Sequence, residues 1–528
     1  MTVADRIIAQ LRDAGTRALF GVPGGGGNLD LIAAAGRAGL PFVLTATETA
    51  GALAALAQAE VTGGVGACLT TIGPGASSVV NGVACAFLER APIVVFTDSM
   101  PPAFEHQRLD HASLFASTAK RSHTLKAATG LQTIACAIHE ASRGCPGPVH
   151  IDCPAGVAGA EPPFVEDAYF TFDVDERSHE VRSQLEQLVR GARKPLVVVG
   201  LGARRHEDAA AIRALCARHR LPAMVTYKAK GVVPDGDEWF AGVFTNASIE
   251  QPVIDESDLL IGIGLDPVEL LPRPWKRKPP IVVCNPWRVE DALVPFAVQF
   301  VAPVTAGVRA IEEARATSDW DSARVRALVI EQRRRIDLEG DGLTAQRVVE
   351  VAAAHLAGRG GRVTVDAGAH MIPATLLWPV NEPNGLLISN GLSTMGFALP
   401  AAIGASLLDR TRPVVALTGD GGLLMCAGEL LTAAREQLDV MTIVFNDASL
   451  SLIEIKQQAR GLPSAGVALG AVNWTKLAES VGVAAWTAGD EAALERAIRD
   501  AAAHAGPTLI DARIDRSNYG AMLRAVRG

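Results

Sequence analysis

Apolar residues fall in short runs divided by longer amphipathic stretches, and the two alternate along nearly the whole chain. In the first part, Ala18-Leu19-Phe20, Phe42-Val43-Leu44, Ala67-Cys68-Leu69, Ile93-Val94-Val95-Phe96 and Val149-His150-Ile151 read as strands, with helical stretches at 49–60 and 77–89. Short apolar strands separated by helices predict a parallel sheet covered on both faces. The same rhythm returns in Leu196-Val197-Val198-Val199-Gly200, Leu259-Leu260-Ile261-Gly262 and Ile281-Val282-Val283-Cys284. It returns again in Val363-Thr364-Val365-Asp366, Leu386-Leu387-Ile388, Val414-Val415-Ala416-Leu417, Met441-Thr442-Ile443-Val444-Phe445 and Thr508-Leu509-Ile510. The expected fold is α/β, with three doubly wound parallel-sheet domains at 1–165, 185–315 and 343–528. The first and third blocks share length and strand rhythm without a close sequence repeat.

Two charged segments separate the blocks, at 173–193 and 320–339. The second carries Arg324, Arg326, Arg333, Arg334 and Arg335, but Asp321, Glu331 and Asp337 interrupt them. That mixture reads as a solvated helix face rather than a nucleic-acid surface.

At 528 residues the chain is too long for one core, and 49% hydrophobic with 20% charged residues is ordinary for a globular protein. A net charge of −8 argues against nucleic acid or an anionic membrane as partner. The eight cysteines form no CxxC pair, so zinc and redox motifs are not expected. No basic, apolar leader opens the chain and no uncharged apolar stretch reaches spanning length, so a cytoplasmic protein is expected.

The chemistry concentrates late in the chain. Gly419-Asp420-Gly421-Gly422 closes one predicted strand, and Asp447 follows 27 positions after Asp420 at the end of the next. Parallel neighbours present their C-terminal ends to one crevice. Two carboxylates and backbone carbonyls there suit a hard divalent cation. Glycine amides and the start of a helix, expected over 423–437, suit a diphosphate.

This spacing resembles the cofactor signature of thiamine diphosphate-dependent enzymes of the acetolactate synthase, pyruvate decarboxylase and benzoylformate decarboxylase type. Phe20-Gly21-Val22-Pro23-Gly24, Glu48, Gly73-Pro74-Gly75, His106-Gln107 and Thr394-Met395-Gly396-Phe397-Ala398-Leu399-Pro400 fall in the family's order, so the resemblance spans nearly the whole chain. It implies a pyrimidine-binding, a central and a diphosphate-binding domain, in that order. It also implies homodimers or homotetramers with active sites between subunits, acting on small 2-oxo acids.

The resemblance assigns roles residue by residue. Glu48, 25 positions before Gly73, would meet the pyrimidine nitrogen N1′. Read locally, it is a helix N-terminal glutamate favoured by the macrodipole. Met395, 25 positions before Asp420, would wedge between the cofactor rings, although a core methionine is common. Asp420 and Asp447, with the Ser449 carbonyl, would hold Mg²⁺. Gly24, Gly73, Ser393, Gly419, Gly421, Gly422 and His370 would complete the cofactor contacts, His370 being equally readable as a satisfied loop histidine. Gln107 is expected at the reacting centre, where a neutral amide can hydrogen-bond a developing oxyanion. His106 and His111 offer proton donors, with a surface or packing role as the alternative.

The implied reaction is decarboxylation of a 2-oxo acid to an enamine, then protonation or attack on a second carbonyl. Gly264-Leu265-Asp266-Pro267-Val268-Glu269, Val225-Thr226-Tyr227-Lys228 and Asp447 resemble FAD-free catabolic acetolactate synthases, and the Arg-Phe-Asp-Asp-Arg stretch of FAD-containing ones is absent, so FAD is not expected. Three positions depart from the pattern. Thr47 stands where relatives often have His, the loop Gly24-Gly25-Gly26-Gly27-Asn28 lacks a basic residue, and Ala448-Ser449-Leu450-Ser451 follows Asp447. Smaller, less polar pocket walls point to a larger or more apolar 2-oxo acid than pyruvate. The alternatives are a benzoylformate decarboxylase-type activity, a 2-hydroxyacyl-CoA lyase and a non-catalytic thiamine diphosphate-binding protein. A plain nucleotide-binding protein is also open, but Gly200-Leu201-Gly202-Ala203 lacks the full glycine fingerprint.

Overall fold

The computed structural model describes residues 1–101, 103–161, 179–290, 293–314 and 318–528. The expected domain ends at 165 and 315, and the opening of the charged segment 173–193, lie outside the described residues.

Three six-stranded sheets form, every strand pair parallel. The first contains β1 (Leu19–Val22), β2 (Phe42–Leu44), β3 (Gly66–Thr70), β4 (Ile93–Ser99), β5 (Arg121–Thr124) and β6 (Val149–Pro154), in the order β2-β1-β3-β4-β6-β5. The second contains β7 (Pro195–Val199), β8 (Ala223–Val225), β9 (Phe240–Val243), β10 (Leu259–Ile263), β11 (Ile281–Asn285) and β12 (Phe296–Val301), in the order β12-β11-β10-β7-β8-β9. The third contains β13 (Arg362–Val365), β14 (Leu386–Ile388), β15 (Val414–Gly419), β16 (Val440–Asn446), β17 (Ala484–Ala488) and β18 (Thr508–Arg513), in the order β14-β13-β15-β16-β18-β17.

The first and third sheets are therefore wound identically, and the central one has the order of a dinucleotide-binding sheet. Central strands such as β7 and β10 are buried at every position, as helices on both faces require.

The first and third sheets meet through one helix from each. Glu48–Thr62 follows β2, and Ala398–Ser406 follows β14. The first is rich in alanine, and eleven of its fifteen residues are buried, so packing surrounds it. At the crossing a Cβ on Gly404 would sit 2.3 Å from the Ala54 carbonyl oxygen, a separation only glycine allows. The C-terminal helix Tyr519–Arg527 returns to the central domain, where the Val526 carbonyl accepts the amides of Ser248 and Ile249.

Two local expectations need correction. Asp420 itself opens the helix after β15, and the segment is two helices, Asp420–Cys426 and Glu429–Arg435. The break lies at Ala427-Gly428, where a Cβ on Gly428 would come 2.8 Å from that of Ala46.

Candidate active site

The register Leu417↔Ile443 and Gly419↔Phe445 brings the ends of β15 and β16 side by side. Asp420 and Asp447 leave those ends together. One oxygen of Asp420 accepts the amides of Asp447 at 3.2 Å and Ala448 at 2.7 Å, and the other accepts the Gly421 amide at 2.7 Å. Asp447 accepts the Ser449 amide at 3.1 Å and the Ser451 hydroxyl at 2.5 Å. Burial, then the neighbouring charge of Asp447, pushes Asp420 up to about 6. Asp447 is raised too, chiefly by burial. Among the described residues neither carboxylate makes an ion pair. Buried Asp420 and half-buried Asp447, neither in such a pair, stand beside the buried Ser449 as a donor set that fits a hard divalent cation.

The surrounding cradle is glycine-built because there is no room for more. A Cβ on Gly422 would lie 2.3 Å from an Asp366 oxygen, and one on Gly421 would lie 2.7 Å from Leu450. Met395 reaches the same place, its methyl 3.3 Å from that Gly421 position. His370 stacks on Phe445 with ring centroids 4.9 Å apart, and its Cε1 lies 3.2 Å from a Cβ placed on Gly419. Burial lowers His370 to about 4, so its ring is neutral. Its Nε2 is buried without a protein partner. An orphaned ring nitrogen beside glycine backbone fits a bound polar ligand.

Asp366, quoted in the sequence only as a strand end, proves central. Its oxygens accept the amides of Gly396 (3.0 Å) and Phe397 (3.1 Å) and the Thr418 hydroxyl (2.8 Å), tying the Met395 loop to β15. Ser393 and Gly396, either side of Met395, take left-handed φ values of 55° and 77°. Ala448 (55°) and Gln107 (56°) do the same, so three of the eight described non-glycine residues with this conformation are candidate-site residues or adjoin one.

The first domain supplies a second group. Glu48 opens its helix behind the Thr47 cap, and its carboxylate accepts the Ser78 hydroxyl at 2.7 Å. A Cβ on Gly75 would be 3.3 Å from Glu48, and one on Gly73 2.3 Å from the Gln107 carbonyl oxygen. Gly24 crosses over Asp98, whose carboxylate accepts the amides of Gly26 and Asn28. Gln107 and His106 are exposed. His111 is buried: its Nδ1 lies 2.7 Å from Asp152, within a cluster completed by His150. The Thr97 hydroxyl stands in the middle of that cluster, 2.8 Å from both His150 Nε2 and Asp152, so hydrogen bonds close it.

Within the chain, no hydrogen bond or ion pair among the described residues joins Glu48 to the Asp420–Asp447 pair. The link is indirect and runs through Glu429. This buried carboxylate accepts the amides of Ala46 (3.0 Å) and Thr47 (3.1 Å), directly before Glu48. Nothing local in Gly428-Glu429-Leu430 announces it.

Among the described residues no helix is long and apolar enough to cross a membrane. Comparison with known families matches residues 1–117 to the thiamine pyrophosphate enzyme N-terminal TPP binding domain, 183–311 to the central domain and 366–512 to the C-terminal TPP binding domain. The chain is 28% identical to the acetolactate synthase of Bacillus subtilis (strain 168), covering 98% of this chain and 93% of the relative. It is 27% identical to the catabolic acetolactate synthase of Raoultella terrigena, covering 97% and 95%. To the acetolactate synthase isozyme 2 large subunit of Escherichia coli (strain K12) it is 28% identical, covering 87% and 85%.

Proposed function

Because the chain belongs to the thiamine pyrophosphate enzyme family, of the acetolactate synthase type, we propose that it is a thiamine diphosphate- and Mg²⁺-dependent 2-oxo acid decarboxylase or carboligase. The observation that carries this reading is the Asp420–Asp447 pair, set at adjoining strand ends beside Met395, His370 and the glycine cradle. Bound thiamine diphosphate supplies an electron sink for loss of CO₂ from a 2-oxo acid.

The chain's own residues do the rest. Asp420, Asp447 and the Ser449 carbonyl would hold the cation, whose charge would offset that of the diphosphate. Gly24, Gly73, Ser393, Gly419, Gly421, Gly422 and the neutral His370 line the cofactor. Met395 would pack against its rings. Glu48 holds a proton at the pyrimidine N1′. The resemblance to the family implies that the first domain of one copy serves the third domain of another. The working form is then a homodimer or homotetramer, in the cytoplasm. Exposed Gln107 and His106 reach substrate there, Gln107 by a neutral hydrogen bond and His106 as a proton donor.

The test is CO₂ release by the purified protein with thiamine diphosphate and Mg²⁺, across pyruvate, branched-chain 2-oxo acids and benzoylformate. Products are separated into aldehydes and hydroxyketones. Acetolactate from pyruvate supports a synthase, and turnover of larger acids alone supports the less polar pocket. CO₂ from none of these donors overturns the reading.

A further inference from the structure

In an open α/β sheet the ligand crevice lies where the strand order reverses, which in the central domain is between β7 and β10. Here that crevice is filled by the protein itself. The amide of Leu201, in the turn after β7, donates to the Glu269 carboxylate at 2.8 Å. The Gly202 amide is taken by the Gly264 carbonyl. Asp266 accepts Arg90 of the first domain at 2.9 Å and the Trp287 indole at 3.2 Å. The Asn390 side chain of the third domain donates to the Glu269 carbonyl at 2.8 Å.

Asn390 belongs to the loop 389–397, and the other anchors of that loop converge on the same place. One oxygen of buried Glu89 accepts the Gly391 amide at 2.8 Å and the Ser389 hydroxyl at 3.3 Å. Its other oxygen pairs at 3.0 Å with Lys228, which is 1% exposed. Lys228 also donates to the Ile388 carbonyl at 3.0 Å and pairs with Glu60, which Arg204 meets at 3.0 Å. Two carboxylates and two cations balance in the interior, and buried charge is tolerated only in such paired form. Gly391 must be glycine, since a Cβ there would lie 2.7 Å from the Leu88 carbonyl oxygen. With Asp366 gripping Gly396 and Phe397, the loop is held at both ends, and Ser393 and Met395 lie between the grips.

We propose that Glu89, Lys228 and Asn390 are positioning residues that use the central domain's filled crevice to set the 389–397 loop, and through it Ser393 and Met395, for the cofactor. The inference rests on the thiamine diphosphate reading of that loop. Among the described residues, the crevice carboxylates are themselves engaged, Asp266 by Arg90 and Glu269 by the Leu201 amide and the Thr226 hydroxyl.

Lys228→Met would strand two buried carboxylates and endanger folding, so the test uses Asn390→Ala and Glu89→Gln in the full-length protein. Three readouts are compared with the parent: amide hydrogen exchange over 389–397 without cofactor, the Kd for thiamine diphosphate with Mg²⁺, and the near-ultraviolet circular dichroism induced in the bound cofactor at saturation. The expected result is exchange at least tenfold faster and confined to this loop, a Kd weakened about tenfold, and an altered dichroic band. Unchanged exchange, Kd and dichroism in both variants, even with a lowered Tm, would overturn the inference. A parent protein that binds no thiamine diphosphate overturns the cofactor reading instead, and the exchange rates then decide whether these residues hold the loop.

Discussion

Glu429 accepts the backbone amide of Thr47 at 3.1 Å, tying the residue before Glu48 to a helix that starts nine positions after Asp420. The same oxygen takes the Ala46 amide, so one buried carboxylate holds the approach to Glu48. Glu429→Ala leaves two amides without their acceptor and should cost about 1–3 kcal/mol in denaturant unfolding. Because the entry to Glu48 loosens, kcat should fall as well, and Glu429→Gln, which keeps an acceptor oxygen, should recover most of both losses.

Glu48→Gln removes the proton-holding group while keeping its shape. Exchange of the cofactor C2 proton, followed by NMR in D₂O, should fall to the rate of free thiamine diphosphate. Cofactor affinity should stay within about tenfold, roughly 1.4 kcal/mol. Full activity in this variant would remove Glu48 from the mechanism.

Asp420→Ala should lose Mg²⁺-dependent cofactor binding, measured by titration calorimetry with and without the metal. A chelator should do the same to the parent protein, and restored Mg²⁺ should reverse it. Undiminished Mg²⁺-dependent binding in the variant would contradict the metal role.

Two groups outside the site set opposite pH slopes. Burial pushes Glu269 up to about 8, against the Thr226 and Leu201 hydrogen bonds, with Asp266 and Arg204 nearby. Raised in the fold, it contributes stability that is whole below about 4.5 and lost as pH rises toward 8, about 5 kcal/mol at most. Burial lowers His150 to about 4, with Asp152 opposing it and His111 and His123 adding to it. Its contribution is whole above about 6.5 and lost as pH falls toward 4, of order 3 kcal/mol. Glu269→Gln should flatten the fall in Tm as pH rises from about 4.5 to 8, and His150→Gln the fall as pH drops from about 6.5 to 4. Unaltered pH profiles of Tm would discount both groups.

Gly404→Ala inserts a methyl where only 2.3 Å separates it from the Ala54 carbonyl oxygen. The two helices must part, at a cost of about 1–3 kcal/mol of overpacking. Thermal unfolding should register this in the cofactor-free protein, since the strain precedes any ligand.

What the sequence left unread follows a physical pattern. Strands β5, β9, β12 and β17 stand at sheet edges, and β8 has only three residues. Arg121-Ser122-His123-Thr124 carries no apolar run, because half of an edge strand need not be covered. Buried β15 and β16 were plain from their continuous hydrophobicity, and Asp420 and Asp447 were plain because each closes such a run. The split after Cys426 was hidden, since Ala427-Gly428 breaks the helix for the sake of Ala46, hundreds of positions away. Glu429 and Glu89 were silent for the same reason, and Lys228 was read only as part of a resemblance: a buried carboxylate or ammonium is explained only by partners the fold brings to it.

The identical strand orders of the first and third sheets have a consequence for how the two domains meet. Helices Glu48–Thr62 and Ala398–Ser406 occupy the same step of the two windings, and it is they that pack together. Like meets like, as in a pair of identical molecules related by a rotation axis. The two outer domains thus present equivalent helices to each other across one seam, while Glu48 leaves one sheet and Asp420 the other.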